Sequence, residues 1–460
     1  MTALWTSDAI AQATGGTATM PFAVGGVAFD SREVVPGDLF IALRGEQSDG
    51  HDYIPRALAA GAAGILAERA VDGPVVRVAD SAKALNDLGV AARARTSGRI
   101  VGVTGSAGKT GTKEALYKAF ERMSFGAAHR SLKSYNNHVG VPLSLARMPA
   151  TTRYGVFEMG MNHEGELRAL THLVRPHVAI ITTIAPAHIE YFGSEAKIAQ
   201  AKAEIFEGLT EGGVAIIPFD SPHYPLLRAA AERHAGDIVS FGLGEGADVR
   251  LVEEGVGTGG RALLTAQLCH ARLSFTLALP GRHWISNALA VLAAVEAVGG
   301  DLAQAGLSLA EMAGLPGRGA RRHIRTGDGG KALLIDEAYN ANPASMAATL
   351  TQLGEERGRR KIAVLGAMKE LGALSDDLHG GLAGAVKGAG VALAILVGDE
   401  MAPLADALAG AVTVERAKDV NDVLDLVPDR LADGDVILIK GSNSIGLSRL
   451  VDRLAASEVA

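Results

Sequence analysis

A short glycine-rich segment, Thr104–Thr110, has the residue types that hold a polyphosphate. Phosphate binding needs backbone N–H groups turned inward, which glycine permits, and a helix N-terminus, whose dipole favours an anion. It also needs a lysine near the terminal phosphates and a hydroxyl for Mg²⁺, and Lys109 and Thr110 stand at those positions. We therefore predict a nucleotide triphosphate site between an apolar strand and a helix. Its predicted contacts are Gly105, Ser106, Ala107, Gly108, Lys109, Thr110 and Gly111.

The loop is shorter than the usual phosphate loop. The usual pattern places a glycine five positions before the Gly-Lys pair, and here that position is Val103. A glycine-rich turn with a surface lysine is the competing interpretation. The strand predicted before the loop and the helix predicted after it favour the nucleotide site.

Three further polar residues lie near predicted strand ends or on a predicted helix. Glu158 ends the strand Gly155–Phe157, where ligands of parallel sheets bind, although a solvated loop acid is an equal alternative. His188 follows the strand Ile180–Thr183, and a structural histidine is the simpler interpretation when it is taken alone. Lys202 lies on an amphipathic helix, where a surface lysine is the simpler interpretation.

Taken together with the loop, these residues predict a two-metal site for phosphoryl transfer. A protonated lysine cannot bind Mg²⁺, whereas the product of a neutral amine and CO₂ is a carbamate with anionic oxygens. Lys202 occupies a place that suits a carboxylate, so its carbamylation is a hypothesis about this site.

The elements that must position these residues alternate between strand and helix. From Arg99 onward, short apolar runs such as Ile100–Val103 are followed by helical periodicity such as Thr112–Met123, and the pattern starts again near Leu315. This alternation predicts α/β units with parallel sheets covered on both faces. The other predicted strands are 156–157, 178–181, 214–217, 332–335, 362–365, 393–397 and 436–439.

Predicted helices separate these strands and connect the parts of the chain. They cover 55–63, 81–97 and 197–209, and others begin near residues 344, 379, 401, 421 and 447. At roughly 150 residues per domain, 460 residues suggest about three domains. We predict an N-terminal α/β domain at 1–85, a central domain at 86–314 and a C-terminal domain at 315–460.

Composition excludes several classes of protein. The formal charge is −7, from 44 basic and 51 acidic residues, which argues against a nucleic-acid binder with a broad basic face. Hydrophobic residues reach 48%, which argues against a disordered chain. The single cysteine, Cys269, fits a reducing compartment. The start of the chain lacks a signal-peptide pattern, and no apolar run is long enough for a membrane span. We expect a soluble, monomeric protein of the cytoplasm without membrane insertion.

The chain resembles the Mur ligase family through many short strings that occur in a shared order over nearly its whole length. One string alone would be weak, but their order is highly specific. The strings are Asp30–Arg32, Pro36–Phe40, Asp49–His51, the loop itself, Ser134–Asn137, Gly140–Pro142, Glu158–Asn162, Ala187–Glu190, Phe192–Ser194, Ala201–Phe206, Pro316–Arg318, Asp336–Pro343, Val364–Gly366 and Lys440–Ser442.

The resemblance implies a central ATPase-like domain and a Rossmann-like C-terminal domain. Its implied activity is ATP-dependent amide formation in peptidoglycan precursor synthesis. The strings around Asn162, Asn340 and Ser442 favour the member that joins D-alanyl-D-alanine to UDP-N-acetylmuramoyl-tripeptide through an acyl phosphate. The rivals are the sister ligase that adds the third residue, folylpolyglutamate synthase and a nucleotide-gated switch without ligase chemistry. The third stem residue, lysine or diaminopimelate, stays open.

The resemblance also implies roles for single residues. One Mg²⁺ would lie on Thr110 and Glu158, and a second on His188 and carbamylated Lys202. The implied catalytic residues are Lys109, His188, Lys202 and Arg318, the last reaching the γ-phosphate from the third domain. Asn287, Asp336 and Asn340 would contact ATP, although Asp336 and Asn340 also suit a turn. Substrate contacts would be Ser31, Arg32, Asn136, Asn137, Lys440 and Ser442.

Two positions depart from the family pattern. Trp284 stands where asparagine is common, and an indole could stack on adenine where an amide would donate a hydrogen bond. Ala367 replaces a residue that is often acidic. Neither departure touches the loop or the predicted metal ligands.

Overall fold

The computed structural model describes residues 3–257 and 261–458, and its strands form three large sheets and one two-stranded pair. The first sheet has the order β2-β7-β6-β5-β4 and is parallel except at β2. The elements of this part are β1 (Trp5–Thr6), α1 (Ser7–Thr14), β2 (Thr17–Ala18), β3 (Ala23–Val24), β4 (Gly26–Ala28), β5 (Asp38–Ile41), α2 (Ile54–Ala59), β6 (Gly64–Ala67), β7 (Val75–Arg77) and α3 (Ser81–Ala94).

Helix α3 connects the first sheet to the second. Its apolar face packs in the same core as Leu39 and Val76 of the first sheet. At its other end, the Arg93 guanidinium donates to the carbonyls of Val174 and Arg175, both at 2.8 Å. The predicted boundary between the first and second domains, at residues 85 and 86, falls inside this helix. The domain boundaries stay predictions.

The second sheet carries the glycine-rich loop. Its order is β16-β15-β14-β13-β12-β11-β8-β10-β9, and it is parallel from β9 to β14. The elements are β8 (Arg99–Thr104), α4 (Lys109–Ser124), β9 (Ala128–Arg130), α5 (Gly140–Ala146), β10 (Tyr154–Glu158), α6 (Glu166–Val174), β11 (Val178–Ile181), α7 (Ile189–Phe192), α8 (Glu195–Ala203), β12 (Val214–Pro218), α9 (Tyr224–Ala231), β13 (Asp237–Gly242), β14 (Val249–Val256), β15 (Ala262–Gln267), β16 (Arg272–Leu277), α10 (Arg282–Ala297) and α11 (Leu302–Ala310).

The central strands of this sheet are buried on both faces. Because successive side chains of a strand point to opposite faces, Ile100 packs in one apolar core and Val101 in another. Likewise, Ile181 packs in the core that contains Ile100, and Ile180 packs in the core that contains Val101. The predicted continuous apolar strands are thus confirmed here as the middle of a covered parallel sheet.

The third sheet has the order β17-β18-β22-β19-β20-β21 and is parallel except at β17. Its elements are β17 (Ala320–Arg325), β18 (Lys331–Glu337), α12 (Pro343–Glu355), β19 (Arg360–Gly366), α13 (Ser375–Gly380), α14 (Ala383–Gly388), β20 (Val391–Val397), α15 (Ala402–Leu408), β21 (Thr413–Ala417), α16 (Val420–Arg430), β22 (Asp435–Lys440) and α17 (Ser448–Ala455).

The parallel sheets predicted from Arg99 onward are confirmed at their centres, and antiparallel strands occur at sheet edges where no strand was predicted. The second sheet ends in the antiparallel strands β15 and β16, and β17 and β2 pair antiparallel at the edges of the other two. These strands are partly exposed and carry mixed side chains, so they lack the apolar runs that marked the central strands. Within the described residues, no helix combines the length and apolar character that crossing a bilayer requires.

Candidate active site

Three neighbouring strands of the second sheet end at the site. Strand β8 runs into the glycine-rich loop, β10 ends at Glu158, and β11 leads to His188. Because β10 and β11 flank β8 and all three are parallel, their carboxyl ends meet at one edge of the sheet. The predicted acid and histidine therefore both lie beside the loop.

Two loop positions require glycine. Gly105 has φ +150°, and a Cβ there would lie 1.9 Å from Thr182 Oγ1. Gly108 has φ +82°, and its Cβ would lie 2.8 Å from Asn287 Oδ1. Asn287 of α10 therefore lies directly against the loop. The backbone can turn its N–H groups inward only because these positions have no side chain.

Lys109 is the cation of the loop, and its side chain is half-buried. Its ammonium donates to the Gly105 carbonyl at 2.7 Å. Burial lowers the pKa of Lys109, the nearby Arg318 lowers it further, and the Glu158 carboxylate opposes both. A polyphosphate would supply the negative charge that this partly desolvated ammonium needs.

Thr110 and Glu158 form a buried pair of oxygen donors. The Thr110 hydroxyl donates to Glu158 Oε2 at 2.8 Å, and the Asn136 amide donates to Oε1 at 2.8 Å. Glu158 is 1% exposed, so its charge is held by these partners and by a nearby lysine. A hydroxyl and a carboxylate are the oxygen ligands that Mg²⁺ prefers, and this pair fits the ion.

Lys202 of α8 is buried, with 2% of the side chain exposed. Burial, and then the charge of Lys109, places its pKa well below the ordinary lysine value. Over residues 3–257 and 261–458, no cluster of three or more His, Cys, Asp or Glu side chains is arranged for a metal ion. A neutral amine is the form of a lysine that reacts with CO₂.

The third sheet presents its carboxyl edge to the loop. The Arg318 guanidinium donates to Ser134 Oγ at 3.2 Å and lies 4.0 Å from the centre of the Tyr339 ring. The Asn342 amide, at the start of α12, donates to the Ser106 carbonyl at 3.2 Å. Both contacts cross from the third sheet to the second, so a nucleotide on the loop would be bordered by both.

Asp336 lies near the end of β18, and Asn340 lies in the segment that follows this strand. The Asp336 carboxyl group accepts from the backbone N–H groups of Gly317 at 2.6 Å and Ala338 at 3.1 Å, and burial raises its pKa. Asn340 Oδ1 accepts from the N–H of Ala341 at 2.9 Å. Asp336 thus fixes the segment that carries Arg318. The turn interpretation fits Asn340 but not Asp336, which is a strand residue.

Lys440 and Ser442 hold neighbouring loops of the third sheet together. The buried Lys440 ammonium donates to the Asn340 carbonyl at 2.9 Å and lies 3.4 Å from Glu337 Oε2. Burial lowers the pKa of Lys440 and raises that of Glu337. The Ser442 hydroxyl accepts from the Lys369 N–H at 3.0 Å.

The residues predicted for the sugar-nucleotide substrate divide between two places. Ser31 is buried in the first part of the chain, and the exposed Arg32 pairs with Asp30 at 2.6 Å. Asn136 lies at Glu158, whereas Asn137 Oδ1 accepts from the Gly140 N–H at 2.9 Å and so holds the start of α5. The structure therefore brings Asn136 to the loop and leaves Ser31 and Arg32 in the first domain.

The two departures from the family pattern are both buried. Trp284 is 7% exposed and packs against the phosphate-loop helix, where a Cβ on Gly111 would lie 2.7 Å from the indole. Whether the ring also stacks on adenine stays a prediction. Ala367 is fully buried at the end of β19, where an acidic side chain would need a partner.

Several residues at the site were missed by the sequence analysis. They are Lys113, Thr182, Ser134, Asn342 and Glu370. Lys113 lies one helical turn after Thr110, which is a usable signal, because positions three apart share a helix face. Glu370 follows the end of β19, so the same rule that selected Glu158 could have selected it. The contacts of Thr182, Ser134 and Asn342 depend on tertiary packing.

Comparison with known proteins gives three family matches along the chain. A model described as the Mur ligase family, catalytic domain, matches residues 23–115. The Mur ligase middle domain matches 103–295, and the Mur ligase, glutamate ligase domain, matches 321–443. The chain belongs to the Mur ligase family. The resemblance seen in the sequence is thus confirmed.

Curated relatives of this Mur ligase match over nearly its full length. A Synechocystis protein named UDP-N-acetylmuramoyl-tripeptide–D-alanyl-D-alanine ligase is 35% identical over 94% of this chain and 92% of the relative. The Escherichia coli protein of the same name is 34% identical over 93% of each chain.

Solved structures of the same ligase share the fold. A crystal structure of MurF from Acinetobacter baumannii has a TM-score of 0.83 and 30% identity, and covers 98% of this chain and 99% of that one. MurF from Thermotoga maritima, determined in complex with ADP, has a TM-score of 0.77 and 28% identity over 94% and 97% of the chains. The predicted α/β architecture of this Mur ligase is confirmed, with three domains.

Proposed function

We propose that this Mur ligase joins D-alanyl-D-alanine to UDP-N-acetylmuramoyl-tripeptide at the expense of ATP, in the cytoplasm and as a monomer. The observation that carries the proposal is that two residues of the third domain reach the phosphate-loop region: Asn342 donates to the Ser106 carbonyl, and Arg318 donates to Ser134. The names of full-length relatives at 34–35% identity support the same substrates. The adenine nucleotide is supported by the loop geometry and by the ADP complex of the Thermotoga relative.

The reaction begins when a carboxylate oxygen of the tripeptide attacks the γ-phosphorus of ATP. The bond to the bridging oxygen breaks, ADP leaves, and an acyl phosphate forms. The dipeptide amine then attacks the acyl carbon, phosphate leaves with its bonding electrons, and the amine loses a proton. Both steps bring anions together, so most of the catalysis is positioning and charge neutralisation.

Two cationic side chains of the chain itself supply part of that charge. Lys109 would exchange the Gly105 carbonyl for the terminal phosphates, and Arg318 would reach the γ-phosphate from the third domain. Thr110 and Glu158 would hold one Mg²⁺, and His188 and carbamylated Lys202 a second. When bound, Mg²⁺ neutralises phosphate charge and polarises the phosphoryl group.

The domain roles follow from the same arrangement. We assign residues 1–85, with Ser31 and Arg32, to the UDP end of the substrate, 86–314 to ATP, and 315–460 to the third domain that closes on the nucleotide. Asn287 would contact the nucleotide beside the loop. Asn136 would place the muramoyl-peptide near Glu158. Lys440 and Ser442 would border the dipeptide.

Carbamylation of Lys202 is tested by chemical rescue. Carbamate formation converts the neutral amine and CO₂ into R–NH–COO⁻ and a proton. The variant Lys202→Ala should lose activity and regain part of it with added short carboxylic acids, which supply the missing oxygens. Lys197→Ala, at an exposed position of the same helix, is the matched control and should need no rescue. Failure of rescue together with an unmodified lysine in the purified protein would contradict the carbamate.

The ligase assignment is tested by phosphate release with and without each co-substrate. We expect rapid release only when ATP, Mg²⁺, the UDP-linked tripeptide and D-alanyl-D-alanine are all present. Tripeptides ending in lysine and in diaminopimelate would be compared to identify the third residue. Incorporation of a free diamino acid instead of labelled dipeptide would indicate the sister ligase, and tripeptide-independent hydrolysis would indicate a switch.

A further inference from the structure

His188 and Glu370 meet across the boundary between the second and third domains. Glu370 Oε2 lies within hydrogen-bond distance of His188 Nδ1. The backbone joins the same two loops, since the Glu190 N–H donates to the Glu370 carbonyl at 3.2 Å. Gly372 completes the contact, because a Cβ there would lie 3.2 Å from Glu190 Cγ.

Both residues adopt a backbone conformation that non-glycine residues rarely occupy. His188 has φ +59° and Glu370 has φ +63°. Left-handed non-glycine residues carry strain and persist where surrounding contacts hold them, most often at functional sites. Two such residues in mutual contact indicate that the geometry of this pair is imposed by both domains.

The contact decides which nitrogen of the imidazole carries the proton. An ionised carboxylate only accepts hydrogen bonds, so Nδ1 must donate to Glu370. Nε2 then keeps its lone pair, which is the form of the ring that binds a cation. In metal sites, a carboxylate on the far nitrogen of a histidine fixes the tautomer and the ring orientation.

We propose that Glu370 is a positioning residue of this ligase: from the third domain, its carboxylate orients His188 and holds the tautomer with a free Nε2. This proposal rests on the role of His188 in the proposed function. The histidine would thus be ready for its cation only when the third domain lies against the second. The two domains would then close on the nucleotide in the same step that orients His188 and frees its Nε2 for the cation.

An ordinary ion pair at a domain surface is the competing explanation. Glu370 is 37% exposed, and exposed pairs contribute little to stability. Glu400 of the same domain, paired with Lys369, is also 37% exposed. The variant Glu400→Gln is therefore a matched control, because it removes a carboxylate of equal exposure from an ion pair that includes neither His188 nor Glu370.

The first measurement is the tautomer of His188 by NMR of the full chain with ¹⁵N-labelled histidine, without metal or nucleotide. His188→Gln assigns the signal. We expect a protonated Nδ1 and a free Nε2 in the parent protein and in Glu400→Gln, and loss of this preference in Glu370→Ala. Glu370→Gln, which keeps an acceptor without the charge, should fall between. An unchanged tautomer in folded Glu370→Ala would overturn the proposal.

The second measurement is the Mg²⁺ concentration at half-maximal activity. We expect Glu370→Ala to raise it by about 10–100-fold while the KM for ATP at saturating Mg²⁺ changes little. If His188→Gln is impaired but Glu370→Ala behaves like the parent, this inference fails and the proposed function stands. If His188→Gln itself retains the parent Mg²⁺ dependence, the assigned role of His188 fails and the inference with it.

Discussion

Lys113 is fully buried one turn beyond Thr110, and its ammonium holds the loop that leads to Asn136. It donates to the carbonyls of Ser131 at 3.0 Å and Lys133 at 2.6 Å, and lies 3.9 Å from Glu158 Oε2. A cation at this place satisfies two backbone acceptors and balances the acid predicted for Mg²⁺. The position of the segment before Asn136 therefore depends on Lys113, a residue that is not predicted to contact a substrate.

The variant Lys113→Met should destabilise the central domain. Each buried carbonyl left without a donor costs about 1–3 kcal/mol, which lowers the melting temperature by several degrees in a domain of this size. Thermal unfolding followed by calorimetry measures the change. Lys118→Met, at an exposed position of the same helix, is the control and should melt with the parent. Equal melting of both variants would contradict this account of Lys113.

Lys202→Met should make the protein more stable at neutral pH in CO₂-depleted buffer, although it abolishes activity. Burial lowers the pKa of Lys202 in the folded state. The unfolded chain therefore binds this proton more tightly than the folded protein does, and folding carries a cost at pH values below the ordinary lysine pKa. This cost vanishes as the pH rises toward the ordinary lysine pKa, about 10. Melting temperatures of the variant and parent should therefore converge with rising pH. A difference in melting temperature that widens with rising pH would contradict the lowered pKa of Lys202. So would a variant that is less stable than the parent at pH 7.

At the scale of elements, the loop between β8 and α4 depends on the absence of a side chain at Gly105. In Gly105→Ala, the new methyl group would lie 1.9 Å from Thr182 Oγ1. We expect the loop to shift and ADP affinity to fall at least about tenfold, equivalent to 1.4 kcal/mol, while the melting temperature changes little. Calorimetric titration with ADP measures this. Gly384→Ala, in open space on α14, should bind ADP normally. Parent-like affinity in Gly105→Ala would show that the loop tolerates a side chain.

The elements differ in how well the sequence predicts them. Strands β8, β11 and β22 were predictable because burial on both faces demands continuous apolar runs. The helix predicted to end at Leu209 instead ends at Ala203, and continues as a tighter turn that the 3.6-residue period does not distinguish. The antiparallel strands β15 and β16 carry mixed side chains and were missed.

The site residues also differ in how well the sequence predicts them. The loop was predictable because its glycines, lysine and threonine are consecutive in sequence. The partners of Glu370 and Asn342 lie 182 and 236 residues away, so only the packing of one sheet edge against another brings them together. Trp284 also shows this limit, since the sequence did not indicate that its indole packs against Gly111 of α4.

At the scale of the molecule, two sheets face each other with their carboxyl edges, and Arg318 crosses between them. Since ADP lacks the γ-phosphate, Arg318→Ala should leave ADP affinity within a few-fold of the parent. Turnover should fall about 10²–10³-fold, the cost of removing one donor to developing charge. Steady-state kinetics and ADP titration measure the two effects. Arg325→Ala, exposed on the same domain, should change neither. Equal losses in ADP binding and turnover would place Arg318 elsewhere on the nucleotide.

The central claim is that the tripeptide carboxylate and the γ-phosphate of ATP react directly with each other. The most direct measurement uses tripeptide substrate with ¹⁸O in its terminal carboxylate, and mass spectrometry of the released phosphate. We predict one ¹⁸O atom in each phosphate, formed together with the UDP-linked pentapeptide. Phosphate without the label, or label transfer without pentapeptide, would contradict the account.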